Sequence, residues 1–223
     1  MLKIKTLITI IALSFSQVSL ATIFQFEDTN ANNGGMSDRL ETVGGTFNDV
    51  TQAFTWDATF NADPTDVDGF WLVVNNGPNP KSSDVNELAI MYGDMSTGRL
   101  STFVYNGQNN SNSLNNPAIW LQEDLFSVTS NSFSLSIDAT AINSWSSDPD
   151  YTGISFDDNI GIWFHISRGS TFAYDQSNIL DSYTYAQQGW YDKAGLTTTR
   201  VPEPVSLMLI GLGLIGLGAR RKR

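Results

Sequence analysis

Residues Phe54 to Phe60 read FTWDATF, and the alternation within these seven positions decides the fold class. Phe54, Trp56, Ala58 and Phe60 fall on one side, with Thr55, Asp57 and Thr59 on the other. Successive side chains of an extended chain point to opposite faces, so this two-residue period marks a strand with one buried face. NSFSLSID repeats the pattern, setting Phe133, Leu135 and Ile137 against serines. NIGIWFHIS repeats it again, with Ile160, Ile162, Phe164 and Ile166 against Gly161, Trp163 and His165. GFWLVV, from Gly69 to Val74, is instead a continuous apolar run of strand length, which suits the centre of a sheet. ELAIMYG and LSTFVYNG, separated by DMSTGR, predict an antiparallel hairpin.

Working outward, turn-rich segments separate these runs: TNANNGGMSD, NADPTDVDG, NNGPNPKSSD, NGQNNSNSLNNP and SSDPDYTG. Asn, Asp and Gly mark turns because short polar side chains bond the nearby backbone and tolerate left-handed conformations. Helical periodicity nowhere exceeds two turns in this region. The prediction is an all-β body over residues 22–200, built as a two-sheet antiparallel β-sandwich of the jelly-roll kind. Cysteine is absent, so the core alone must hold the body, and about 180 residues are enough to build one. Disulfide frameworks, thiolate metal sites and cysteine nucleophiles are excluded. The single His165 excludes a multi-histidine metal site.

The two ends differ from the body. Lys3 and Lys5 precede an apolar stretch from Thr6 to Phe15, and Ser19-Leu20-Ala21 places small residues where a signal peptidase reads. Residues 1–21 are therefore expected to be a secretory signal peptide cut after Ala21. Without its ends, the body carries six cations and twenty-two carboxylates, a net charge of −16. Such a body repels a phosphate backbone, which argues against nucleic-acid binding.

Candidate chemistry within the body is sparse. NADPTDVDG gathers Asp63, Asp66 and Asp68 before Gly69, hard oxygen ligands at the short spacing of a calcium loop. The EF-hand register fails, because it places Pro64 first and Asn75 twelfth; a solvated turn is the alternative. A serine triad needs a histidine base, and His165 lies in a strand with no visible partner, so it reads as structural. Glycoside hydrolysis needs two carboxylates across a cleft, and Glu27, Glu41, Glu87 and Glu123 are scattered. A non-enzymatic body is expected, with glycan hydrolysis by spatially paired aspartates as the alternative. Sugar rings stack on flat aromatic faces. NSWSSDPDY and AQQGWYD set Trp145, Trp190 and Tyr191 among polar residues, making them the candidate carbohydrate-binding side chains, with edge and core packing as the alternative.

Residues 201–223 read VPEPVSLMLIGLGLIGLGARRKR. Gly211, Gly213 and Gly216 match a dinucleotide-binding G-x-G-x-x-G, but the seven residues after Gly216 include no acid, and glycines at this spacing suit a membrane helix. The fifteen residues Val205 to Ala219 would span about 22 Å as a helix, short of a hydrocarbon core of about 30 Å. A single short transmembrane helix is expected, with Arg220 to Arg223 on the cytoplasmic side. Pro202 and Pro204 keep the segment before it extended.

The order of Pro202-Glu203-Pro204, a Gly/Leu-rich span and a basic end resembles the PEP-CTERM family of exported bacterial proteins. The resemblance implies recognition of Pro202, Glu203 and Pro204 by an exosortase, a membrane-embedded cysteine protease. It also implies transient anchoring in the inner membrane of a Gram-negative bacterium. Release to the cell surface or matrix, in association with biofilm exopolysaccharide, would follow. The body is similar to concanavalin A-like, lectin-type sandwiches at the level of fold, which does not carry a function.

Overall fold

FTWDATF and NSFSLSID belong to one sheet and GFWLVV to another, whereas NIGIWFHIS, which also alternates in sequence, lies beside GFWLVV with Trp163 and His165 buried on its second face. The computed structural model describes residues 21–32, 34–36, 39–61, 67–80, 88–105, 114, 119–129, 131–145 and 151–202. One unit spans Ile23–Val201. The expected signal peptide up to Leu20 and the expected membrane segment lie outside the described residues. Among the described residues, no helix is long and apolar enough to cross a membrane.

Sheet A has six antiparallel strands in the order β15 (Thr199–Pro202), β1 (Thr22–Asp28), β3 (Leu40–Asn48), β4 (Ala53–Phe60), β10 (Ser132–Asp138), β9 (Ser127–Val128). FTWDATF and NSFSLSID are therefore neighbours, paired antiparallel with Leu135 opposite Trp56 and Ile137 opposite Phe54. Phe54, Trp56, Phe133 and Leu135 point inward and are buried, while Asp57, Ser134 and Ser136 stay exposed. One face of sheet A is wet, as the alternation requires.

Sheet B has seven strands in the order β2 (Gly34–Gly35), β14 (Gln187–Thr197), β11 (Asn159–Arg168), β5 (Gly69–Asn75), β6 (Leu88–Asp94), β7 (Arg99–Tyr105), β8 (Trp120–Leu125). GFWLVV forms β5, fourth of the seven. The predicted hairpin is β6–β7, with Asp94 opposite Arg99 and Gly98 at a φ of 68° in its turn. Every residue of β5 and β6 is buried because sheet B is covered on both faces.

Its inner face packs on sheet A. Phe70 stacks on Phe133 with centroids 4.3 Å apart and meets Phe164 edge-on, and Phe164 meets Trp56 edge-on. Fully burying each Phe contributes about 1.5–3 kcal/mol. The close stack depends on Gly93 opposite Phe70, where a Cβ would sit 2.1 Å from the Phe70 ring.

The outer face of sheet B carries a second cluster of Trp71, Tyr92, Phe103, Tyr105 and Trp163. A hairpin of β12 (Thr171–Tyr174) and β13 (Leu180–Thr184) packs against it through Phe172, Tyr174 and Tyr183. Polar contacts fasten that hairpin. Tyr174 donates to Asp94 Oδ2 at 3.2 Å, and the Arg99 guanidinium lies 3.9 Å over the Tyr174 ring. Arg99 also donates to the Asn178 side chain and carbonyl at 2.9 and 2.6 Å. The one short helix described, α1 (Thr140–Ser144), follows β10.

Candidate functional site

The chain leaves the body through β15, which has one neighbour in sheet A, β1. Arg200 points from β15 to the loop before β11. Its Nε and Nη2 donate to Asp158 Oδ1 and Oδ2 at 2.5 and 2.7 Å, and Asp157 Oδ1 lies 3.9 Å away. This two-pronged contact holds the Asp158 carboxyl below the usual carboxylate range. Asp158 further accepts the Thr198 N–H at its carbonyl, 3.0 Å away, and the Arg200 guanidinium lies 5.5 Å from the Phe24 ring of β1. Pro202 is the last residue of β15. Glu203 and Pro204 lie outside the described residues.

The aromatic candidates separate. Trp190, on β14, is 44% exposed, and its indole lies against Gly34 and Gly35 of β2. A Cβ on Gly34 would come within 2.5 Å of that ring, so the two glycines let the indole lie flat on bare backbone. Gln188 and Asp192 flank Trp190 on the same face of β14. His165, its cross-strand partner, is fixed between them: Nε2 donates to Asp192 Oδ1 at 3.0 Å, and Nδ1 lies 3.4 Å from Gln188 Oε1. The histidine also packs 4.6 Å from the Trp71 ring. An exposed indole beside an amide and a carboxylate has the elements of a saccharide platform: an apolar face for C–H groups and acceptors for hydroxyls.

Tyr191 is corrected by the structure. It is 2% exposed, faces sheet A, and donates its hydroxyl to Asp28 Oδ2 at 2.6 Å. Strand alternation turns it inward because it turns Trp190 outward. Trp145 is half-buried and meets Tyr151 edge-on at 4.9 Å, with no ring contact to Trp190.

Asp63 and Asp66 of the candidate calcium loop lie outside the described residues. Asp68 is described, and its carboxylate serves the fold. Its oxygens accept the N–H groups of Gly169 and Ser170 at 2.8 and 3.0 Å, clamping the turn between β11 and β12. Among the described residues, no group of three or more His, Cys, Asp or Glu side chains is placed to hold a metal.

A groove of about 420 Å³ opens on the wet face of sheet A. Thr55, Asp57, Ser134 and Ser136 form its floor, and the β8–β9 corner at Leu125 and Ser127 borders it. Asp57 keeps contact with solvent, but partial desolvation in the groove, with the Glu27 charge adding to it, raises its carboxyl above the ordinary range. The sequence signals this only as polar positions on β4 and β10, because a groove depends on where β9 ends.

The protein-family comparison matches residues 200–223 to the PEP-CTERM protein-sorting motif. The chain therefore carries that motif at its C-terminal end, and the motif implies export and processing by an exosortase. No curated protein and no solved structure matches the chain.

Proposed function

We propose that this is an exported protein of a Gram-negative bacterium whose jelly-roll body serves at the cell surface or in the biofilm matrix, bound to exopolysaccharide. A signal peptidase frees the N-terminus, the tail anchors the chain transiently in the inner membrane, and an exosortase removes it. The sorting motif at residues 200–223 supports this reading, since it implies export and sorting at the membrane. Trp190 supplies the proposed contact with the polysaccharide, with its indole on one sugar face and Gln188 and Asp192 on the hydroxyls. In this reading the body binds and does not catalyse.

The test uses mature protein recovered from the host and a panel of immobilised polysaccharides, with and without calcium. The expected result is retention on at least one polysaccharide and its loss in Trp190→Ala. Absence of retention on every matrix would leave a structural surface protein without a specific ligand.

A second reading, glycan hydrolysis, draws support from the groove. A carboxyl raised by partial desolvation is suited to general-acid catalysis, and Asp57 shares the wet face of sheet A with Glu27. Release of reducing ends by the mature protein, abolished in Asp57→Asn, would favour this reading over binding alone.

A further inference from the structure

The sorting motif and the folded sheet share residues. The matched segment begins at Arg200, whereas β15 runs from Thr199 to Pro202, so Arg200, Val201 and Pro202 belong to both. The last strand of the body therefore runs into the first residues of the matched segment. A protease cleft that takes an extended peptide does so largely through main-chain hydrogen bonds. On one side of β15, those same groups are engaged with β1. A cleft that takes Arg200 to Pro202 from both sides would require β15 to leave the sheet.

β15 is suited to leaving. It is four residues long and lies at a sheet edge, outside the aromatic core. Its side-chain anchor is the pair between Arg200 and Asp158, a residue 42 positions earlier and outside the motif. Both side chains are more than half exposed, at 57% and 60%, so water can compete for each.

We propose that Asp158 is a positioning residue for sorting: it holds Arg200, keeps β15 on sheet A, and sets how fast folded precursor is handed to the exosortase. The inference rests on the reading that an exosortase cuts this tail. Folding and processing then oppose one another at a single strand. The body completes its sheet with β15, and the protease acts on the fraction of molecules in which β15 has peeled away.

The test is a pulse-chase of the full-length chain in its exosortase-containing host, following conversion of precursor to mature form. Asp158→Asn leaves the motif untouched and should shorten the precursor lifetime roughly two- to fivefold, with an unchanged mature mass. Asp157→Asn, which removes only the more distant carboxylate, should change it less. Exchanging the charges, Asp158→Arg with Arg200→Asp, should return the lifetime toward that of the natural chain. A purely structural role would lower the melting temperature of the body and divert precursor to degradation, without faster maturation. Normal cutting with an unchanged or longer lifetime in Asp158→Asn overturns the proposal and leaves exosortase processing intact. If the tail is not cut in the natural chain, the underlying sorting reading fails instead.

Discussion

Tyr191 on β14 donates its hydroxyl to Asp28 at the end of β1 across 2.6 Å, a direct polar tie between the two sheets. The ring is buried in the inter-sheet core, so the hydroxyl depends on this acceptor. Tyr191→Phe keeps the ring and deletes the tie. We expect it to lower stability by about 1–2 kcal/mol in urea denaturation and to leave polysaccharide retention unchanged. Loss of retention with unchanged stability would place Tyr191 in a binding site after all.

Tyr105 and Tyr191 in the core and the half-buried Tyr174 and Tyr183 are expected to limit the fold at alkaline pH. Burial is the main cause that pushes Tyr105 and Tyr174 up to about 12, and it drives Tyr183 and Tyr191 higher still. Their folded values lie above the ordinary 10, so their contribution is complete below pH 10 and is lost as the pH rises through the folded values. Tyrosinate absorbance from these rings should therefore appear together with alkaline unfolding. Full titration near pH 10 with the circular dichroism spectrum intact would contradict their burial.

The seat of the Trp190 indole, the proposed saccharide contact, depends on glycine. In Gly34→Ala, the new methyl would lie 2.5 Å from the indole, so the ring must lift from β2. Because β2 has only two residues, the expected loss of stability is small. The tryptophan fluorescence should shift to the red, and polysaccharide retention should fall as it does in Trp190→Ala.

Gly93 faces the opposite consequence. Its missing Cβ makes room for the Phe70 ring at the centre of the sandwich. Gly93→Ala overpacks that centre and should cost about 1–3 kcal/mol, read as a lower melting temperature. A neutral substitution would mean that the Phe70–Phe133 stack can shift without penalty.

Legibility of the fold followed the reach of each signal. The alternation in FTWDATF and NSFSLSID reports one buried face, and these segments became adjacent strands of sheet A. The continuous run GFWLVV reports two buried faces but not what covers them. Its second cover, the β12–β13 hairpin, comes from about a hundred residues further on and is held by Arg99 and Asp94, which carry no local mark of that role. Tyr191 misled because its neighbours in sequence are polar, whereas its neighbours in space lie across the strand period. Asp68 looked like a metal ligand because a carboxylate that binds backbone N–H groups and one that binds a cation share the same turn-rich sequence. The Arg200–Asp158 pair was invisible for a simpler reason: the chain brings its members together only when β15 joins the sheet.

The central claim is that the body is delivered by cleavage of its C-terminal tail. The most direct measurement is the intact mass of the protein released from host cells, for the natural chain and for Pro202→Ala with Pro204→Ala. The natural product is expected to lack the membrane segment, and the variant to remain uncut in the membrane fraction. A variant released with the same mature mass as the natural chain would contradict that claim.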